Sequence, residues 1–127
     1  MEYEVKIELS GFKDVNKFKL EKVDEVFSIL KSLDDEIQIS LVNPYKLTNY
    51  SFDVPNAVKA LLELKEDSQL EVYLVLLLSN PKEDSRANFL APIIFNSDNG
   101  RMAQVILNGE EYPSYKMSAS LNEFSVE

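Results

Sequence analysis

The sequence predicts a mainly β protein, a small antiparallel β-barrel-like domain with two short helices. Several short runs alternate apolar and polar residues, turn-forming residues separate these runs, and only two stretches show helical spacing. Short strands with frequent turns are typical of a small barrel or a curled sheet. A chain of 127 residues is long enough to bury a core, and we expect residues 1–127 to form a single domain.

The first part of the chain is predicted to hold three strands and one helix. Residues 3–9 alternate apolar and charged side chains, which predicts a strand with one solvent-exposed face. A second short strand is expected around Phe18 and Leu20, and a third at residues 37–41, which stops before Pro44. Between them, apolar residues at helical spacing predict a short amphipathic helix: Val23, Val26, Phe27, Leu30 and Leu33.

The second part of the chain is predicted to hold another helix and the most apolar strand. Asp53 is expected to cap this helix, with Pro55 in its first turn, where a missing N–H costs little. Residues 70–78 lack alternation, which predicts a strand that is buried on both faces. Residues 114–127 have weak periodicity, so we expect a loosely held tail there.

A predicted β-hairpin follows the most apolar strand. Its two apolar runs, residues 89–95 and 102–107, flank an Asp-Asn-Gly turn signal at residues 98–100. Pro92 lies inside the first run, and because proline cannot donate to a strand ladder, it belongs at a sheet edge or at a bulge. An edge strand would offer unpaired backbone groups to a partner, whereas a bulge would only help to close the barrel.

The composition excludes the common catalytic triads and dyads. With no histidine and no cysteine, the chain has neither Ser-His-Asp nor Cys-His catalysis and no imidazole or thiolate metal ligands, so we expect no cofactor. Carboxylate chemistry is the remaining enzymatic alternative, and a plain structural subunit of an oligomer is a third. The carboxylate candidates fall in predicted loops and are better explained as solvated side chains: Asp34-Asp35-Glu36 and Glu83-Asp84.

Charge and hydropathy bear on the partners and the location of the protein. The 22 acidic and 13 basic residues give a net charge of −9, which disfavours direct nucleic-acid binding and favours encounter with basic proteins. The N-terminus lacks the apolar core of a signal peptide, and the longest apolar run is too short to span a bilayer. We therefore expect a cytoplasmic protein without membrane contact.

An ordered series of short motifs carries a family resemblance. The motifs, in chain order, are Asn43-Pro44-Tyr45, Tyr50-Ser51-Phe52-Asp53, Ala87-Asn88-Phe89-Leu90-Ala91-Pro92-Ile93-Ile94-Phe95-Asn96, Ala103-Gln104-Val105-Ile106-Leu107 and Tyr112-Pro113. Over residues 9–113 the chain resembles the flagellar assembly factor FliW family. The resemblance implies a small β-barrel-like domain with minor helices and a non-enzymatic function.

The resemblance also implies a protein that switches between two cytoplasmic partners. Proteins of the FliW family bind newly made flagellin, and they antagonise CsrA, a small dimeric RNA-binding protein that blocks flagellin translation. When flagellin accumulates it occupies FliW, CsrA is released, and flagellin synthesis stops. We expect the free protein to be a monomer.

Partner contacts are expected where the family motifs meet the predicted hairpin. An apolar helix of a partner needs an exposed apolar strip, and alternation allows only one face of residues 89–95 to be exposed. The expected partner-binding residues are Asn43, Pro44, Tyr45, Asn88, Phe89, Ala91, Pro92, Asn96, Gln104 and Tyr112.

Overall fold

A computed structural model describes residues 1–34 and 36–124 of the chain. The strands that form a closed barrel are β1 (Glu2–Ile7), β2 (Lys17–Lys22), β3 (Phe27–Ser32), β4 (Gln38–Val42), β5 (Leu70–Leu77), β7 (Ile93–Asn96) and β8 (Arg101–Gln104). The elements outside the barrel are β6 (Arg86–Ala87), β9 (Ala119–Ser120), helix α1 (Asn56–Leu62) and the 3-10 turns Pro44–Lys46, Lys82–Asp84 and Leu121–Glu123. The predicted barrel-like fold is confirmed, with one α-helix in the described residues instead of two.

The barrel closes through a short seam between β4 and β5. Around the ring the strands follow the order β4-β3-β2-β1-β8-β7-β5, and β4 then pairs with β5. Neighbouring barrel strands are antiparallel, except β1 and β8, which pair in parallel. The residue pairs of the closing seam are Leu41 with Val75 and Val42 with Leu74.

The apolar residues form three clusters, of which one fills the barrel. Phe18, Leu30 and Phe95 are fully buried in this interior cluster. A second cluster lies outside the barrel, where β6 and β9 cover the end of β5. A third lies beneath α1, whose Val58 and Leu62 pack on the outer face of β7 and β8. Strand β7 is therefore buried on both faces, which explains its uninterrupted apolar run.

The helix predicted at residues 23–33 is wrong, because this stretch forms a tight turn followed by β3. The Asp24 side chain accepts hydrogen bonds from the N–H groups two and three residues later, both at 2.8 Å, and so closes the turn from β2 into β3. Ser28 and Ser32 then point inward with Leu30. Because two of the three inward positions carry small polar residues, the sequence does not alternate between apolar and polar side chains there. The stretch forms a strand because it pairs with β2 on one side and β4 on the other.

The second predicted helix is confirmed as α1, but Asp53 is not its cap. Pro55 occupies the N-cap position without a side-chain hydrogen bond. At the other end, Glu63 takes the left-handed conformation, with φ of 54°, and stops the helix. Within the described residues, no helix has the length and apolar character needed to cross a membrane.

The predicted hairpin is confirmed as β7 and β8, which a turn at residues 97–100 joins. Its first strand begins at Ile93, later than the sequence predicts. Strand β7 pairs with β5 on one side and with β8 on the other, so it is not an edge strand. The edge-strand alternative for Pro92 is therefore wrong.

A long bulge interrupts the chain that pairs with β5. Ile93 lies opposite Tyr73 in β7, and Ala87 lies opposite Leu76 in β6. Between these pairs β5 has two residues, whereas the facing chain has five, residues 88–92. We call this segment the 88–92 bulge. The proline inside the predicted strand lies in it, which agrees with the second alternative.

The C-terminal segment, predicted as a loosely held tail, is attached to the barrel at residues 119–123. Strand β9 pairs with β6. The Glu123 carboxylate accepts the N–H of Ser120 at 2.9 Å, as part of a capping box. Residues 125–127, which belong to the same predicted tail, lie outside the described residues.

Candidate partner-binding surface

The structure separates the predicted partner-binding residues by exposure. Tyr45 is 51% exposed, whereas Asn43, Asn88 and Tyr112 are half-buried. The buried members of the set are Pro44, Phe89, Ala91, Pro92, Asn96 and Gln104. Partner binding by this set stays a prediction, and in this conformation the buried members support the surface from beneath.

Asn96 attaches α1 to the turn between β7 and β8. Its Nδ2 donates to the carbonyl oxygen of Leu62 at 2.8 Å, and Nδ2 of Asn99 donates to the same oxygen at 2.9 Å. Its Oδ1 accepts the N–H of Asp98 at 3.0 Å. Because the last carbonyls of a helix have no partner within the helix, these two asparagines complete α1 and hold it on the barrel.

Gln104 and Asn88 hold the 88–92 bulge in place. Gln104 donates from Nε2 to the carbonyl oxygen of Ala91 at 3.2 Å and accepts the N–H of Ser10 at 2.8 Å. Asn88 Oδ1 accepts the N–H of Leu90 at 2.9 Å, which forms an Asx turn inside the bulge. These bonds supply partners for backbone groups that have left the ladder with β5.

An aromatic cluster beside the bulge contains two of the predicted residues, Tyr45 and Phe89. Tyr50 lies between them, with ring centroids 5.9 Å and 5.8 Å away, respectively. Its hydroxyl donates to the carbonyl oxygen of Phe89 at 2.8 Å, and burial raises the pKa of Tyr50 well above its ordinary value of 10.0. The ring of Tyr115 packs on Tyr50 with a centroid distance of 4.9 Å. The cluster therefore connects the exposed Tyr45 to the bulge.

Tyr112 contributes to the same region through its hydroxyl group. Its ring stacks on Tyr115 at 5.4 Å between centroids, and its hydroxyl accepts the N–H of Asp53 at 2.9 Å. Tyr115 in turn bonds both backbone groups of Ser51 through its hydroxyl, at 2.9 Å and 2.6 Å. The two tyrosines thus hold the segment that leads into α1. Sequence analysis missed Tyr115, because it lies in a stretch without periodicity.

An apolar groove of about 670 Å³ opens beside the 88–92 bulge. Its rim carries three largely exposed apolar side chains: Leu77 at 69%, Ile106 at 68% and Met117 at 70%. Among the described residues that line it, Arg86 alone is charged. The predicted residues that line the groove are Asn88, Ala91 and Gln104. We call this feature the docking groove.

The three exposed rim residues were missed by sequence analysis. Leu77 ends a strand whose middle is buried, Ile106 follows β8, and Met117 lies in the unpatterned C-terminal stretch. The sequence feature that could have identified them is an apolar residue at or beyond the end of a predicted strand, where a surface position usually carries a polar residue. Their proximity depends on the topology, which the sequence pattern does not display.

A second pocket, which we call the Tyr45 pocket, lies at the other end of β5. It has a volume of about 410 Å³, and the predicted residues Asn43 and Tyr45 line it together with Phe52 and Val54. The start of β5, from Leu70, forms another wall. The docking groove contacts Leu77 of the same strand, so the two features lie at opposite ends of β5.

Carboxylates of the two acidic loops accept hydrogen bonds from nearby residues. Asp34 accepts the Ser32 hydroxyl at 2.6 Å and the Glu36 N–H at 3.2 Å, and these bonds lower the pKa of its carboxyl group. Asp84 accepts a hydrogen bond from Asn122 at 3.1 Å. Asp35, the middle member of the first acidic candidate, lies outside the described residues. In the part of the chain that the structure describes, no group of three possible ligands could hold a metal ion.

Comparisons with known proteins identify relatives of this chain by sequence and by fold. A family profile described as FliW protein matches residues 2–118. Flagellar assembly factor FliW 1 of Wolinella succinogenes is 40% identical over 125 residues, which cover 98% of each chain. Flagellar assembly factor FliW of Helicobacter pylori strain G27 is 42% identical over 130 residues, with 100% of this chain and 96% of the relative covered. A crystal structure of the flagellar assembly factor FliW superposes with a TM-score of 0.84 at 24% identity, covering 94% of this chain and 84% of that one.

Proposed function

The chain belongs to the FliW family of flagellar assembly factors, and on that premise we propose that it binds flagellin in the cytoplasm through the docking groove. The proposed function is non-enzymatic. Flagellin offers apolar helical terminal segments before they are buried in the filament, and such a segment docks its apolar face into a groove.

The observation that carries this proposal is the exposure of three apolar side chains on one groove. Leu77, Ile106 and Met117 are each about two thirds exposed and line one groove, and an apolar patch of neighbouring side chains marks an interaction site where the same side chains scattered singly would not. Burial of the exposed apolar surface of each of these side chains by a partner would stabilise the complex by about 1–2 kcal/mol. Fewer than about 30% of the residues in a protein–protein interface contribute more than about 1 kcal/mol, so the three would be among its stronger contacts.

A binding titration with purified flagellin tests this proposal. Ile106→Asp places a charge on the apolar rim, and we expect it to weaken flagellin binding at least tenfold, equivalent to about 1.4 kcal/mol. Val23→Asp is the matched control, because Val23 is also an exposed apolar residue, at 61%, but lies in the turn between β2 and β3. Equal binding by both variants would contradict a role for the groove.

We further propose that the protein antagonises CsrA and thereby couples the flagellin level to flagellin translation. The net charge of −9 supports this second activity, because CsrA must be basic where it grips RNA. An acidic protein bound beside that surface weakens RNA binding through its field. Occupation of the protein by flagellin would then release CsrA.

An RNA gel shift with CsrA tests the electrostatic mechanism. Antagonism should fall as the salt concentration rises, because screening shortens the range of the field. Reversal of the charges of Asp34, Asp35 and Glu36 should weaken it further. Antagonism that survives both changes would exclude the field as its cause, and absence of any antagonism would exclude the CsrA activity itself.

A further inference from the structure

The seam that closes the barrel leaves part of β5 without a neighbour. Strand β4 ends at Val42, where Asn43 donates its N–H to Val26 and the chain turns away into the 3-10 turn at Pro44. Strand β5 continues past the seam for four more residues toward its start at Leu70. On that side, the first residues of β5 have no paired strand among the described residues.

The register shows which backbone groups point into this gap. Gln69 accepts the N–H of Ser97 at 3.0 Å, so its carbonyl points toward the β7 side of β5. Because backbone groups alternate between the two sides of a strand, those of Leu70 and Val72 point away from β7. Within residues 1–34 and 36–124, no backbone or side-chain group bonds them there. We call this feature the 70–72 edge.

The side chains around the 70–72 edge differ between its two faces. On the outer face, the apolar side chains of Phe52 and Val54 line the Tyr45 pocket together with Tyr45 and the polar Asn43. On the face toward the barrel end, Glu71 lies between the two unpaired positions and contacts Lys22.

Further carboxylates flank the start of the edge. Gln69 donates its N–H to Asp98 Oδ2 at 3.1 Å, and Glu66 and Asp67 precede it in the chain. An added strand would therefore meet a pocket with several apolar side chains on one face, and on the other a carboxylate that is paired with Lys22 and has further carboxylates nearby.

We propose that the 70–72 edge binds an extended segment of a partner protein by strand addition. The segment carries a basic residue between two apolar ones. The backbone of the segment forms hydrogen bonds with Leu70 and Val72, in the position that β4 would occupy if it continued past Val42. Its apolar side chains enter the Tyr45 pocket, and its basic side chain faces Glu71. This surface is separate from the docking groove at the other end of β5, so both can be occupied together.

Amide exchange and NMR titration test the proposal on the intact protein. In the free protein, the amides of Leu70 and Val72 should exchange faster than those of Glu71 and Tyr73, which face β7. A blocked octapeptide of alternating lysine and valine is the probe, and the same peptide with glutamate in place of lysine is its control. The basic peptide should shift the Leu70 and Val72 amide resonances and slow their exchange, and the acidic peptide should not.

Variants separate this surface from the docking groove. Glu71→Lys should weaken binding of the basic peptide at least fivefold and leave flagellin binding within twofold of the unchanged protein. Ile106→Asp should leave peptide binding unchanged. Slow exchange at Leu70 and Val72 in the free protein, no binding of the basic peptide, or peptide shifts confined to the docking groove would each overturn the proposal. These three outcomes are measured without flagellin, so they do not depend on whether flagellin binds.

Discussion

Replacement of Asn96 by alanine distinguishes a structural asparagine from a partner-binding one. The residue is 1% exposed, and its side chain makes two hydrogen bonds, to Leu62 at 2.8 Å and from Asp98 at 3.0 Å. Each bond contributes about 1 kcal/mol net, and the Leu62 carbonyl keeps its bond from Asn99, so the penalty of an unsatisfied carbonyl does not add. We expect Asn96→Ala to lower the free energy of unfolding by about 2 kcal/mol.

Urea denaturation measures this change as a lower midpoint with an unchanged slope. Asn99→Ala is the matched control. It removes the second bond to the same carbonyl and the bond that Asn99 Oδ1 accepts from the N–H of Arg101 at 3.2 Å, and because Asn99 is exposed it should lower the free energy of unfolding by only about 0.5–1 kcal/mol. Folded Asn96→Ala protein should keep its flagellin affinity. A change in stability below about 0.5 kcal/mol together with lost flagellin binding would refute the structural role.

Three further predictions concern stability. Tyr50→Phe should lower the free energy of unfolding by about 1 kcal/mol in thermal denaturation. Because the folded-state pKa of Tyr50 is raised above 10.0, stability of the unchanged protein should fall as the pH rises above that value, and the variant should lose less. Bonds from the backbone N–H groups of Phe27 and Val26 lower the pKa of Asp24 below 3.8. The stability that the Asp24 carboxylate contributes should therefore be lost as the pH falls below 3.8. At that pH the free energy of unfolding of Asp24→Ala should approach that of the unchanged protein. Leu30→Ala should cost about 2–5 kcal/mol, measured by urea denaturation, because Leu30 is fully buried in the barrel.

The sequence pattern predicts the parts of the fold where local and tertiary preferences agree. Strand β1, helix α1 and the β7–β8 hairpin have clear periodicity or a strong turn signal, and all three form. Strand β3 escapes prediction, because Ser28 and Ser32 occupy inward positions that normally carry apolar side chains. Its apolar residues then fit helical spacing better than alternation. Pairing across two neighbouring strands outweighs this local preference.

The candidate site is only partly predictable for a different reason. The motif that contains Asn88, Pro92 and Asn96 marks a special segment, but the sequence does not tell a buried asparagine that completes a helix from an exposed one that meets a partner. The docking groove is assembled from β5, the residues after β8 and the C-terminal stretch, which are distant in sequence. Ile106 reaches the bulge through the hairpin, where Val105 and Leu107 donate their N–H groups to bulge carbonyls. Met117 reaches it through Lys116, whose carbonyl accepts the N–H of Phe89.

Methyl NMR of the protein during titration with flagellin tests the central claim most directly, because it locates the contact without any substitution. The methyl resonances of Leu77, Ile106 and Met117 should shift or broaden, whereas those of the exposed Val23 and Leu61, which lie outside the groove, should stay in place. Shifts at Val23 or Leu61 with unchanged resonances in the docking groove would contradict the assignment of flagellin to this surface.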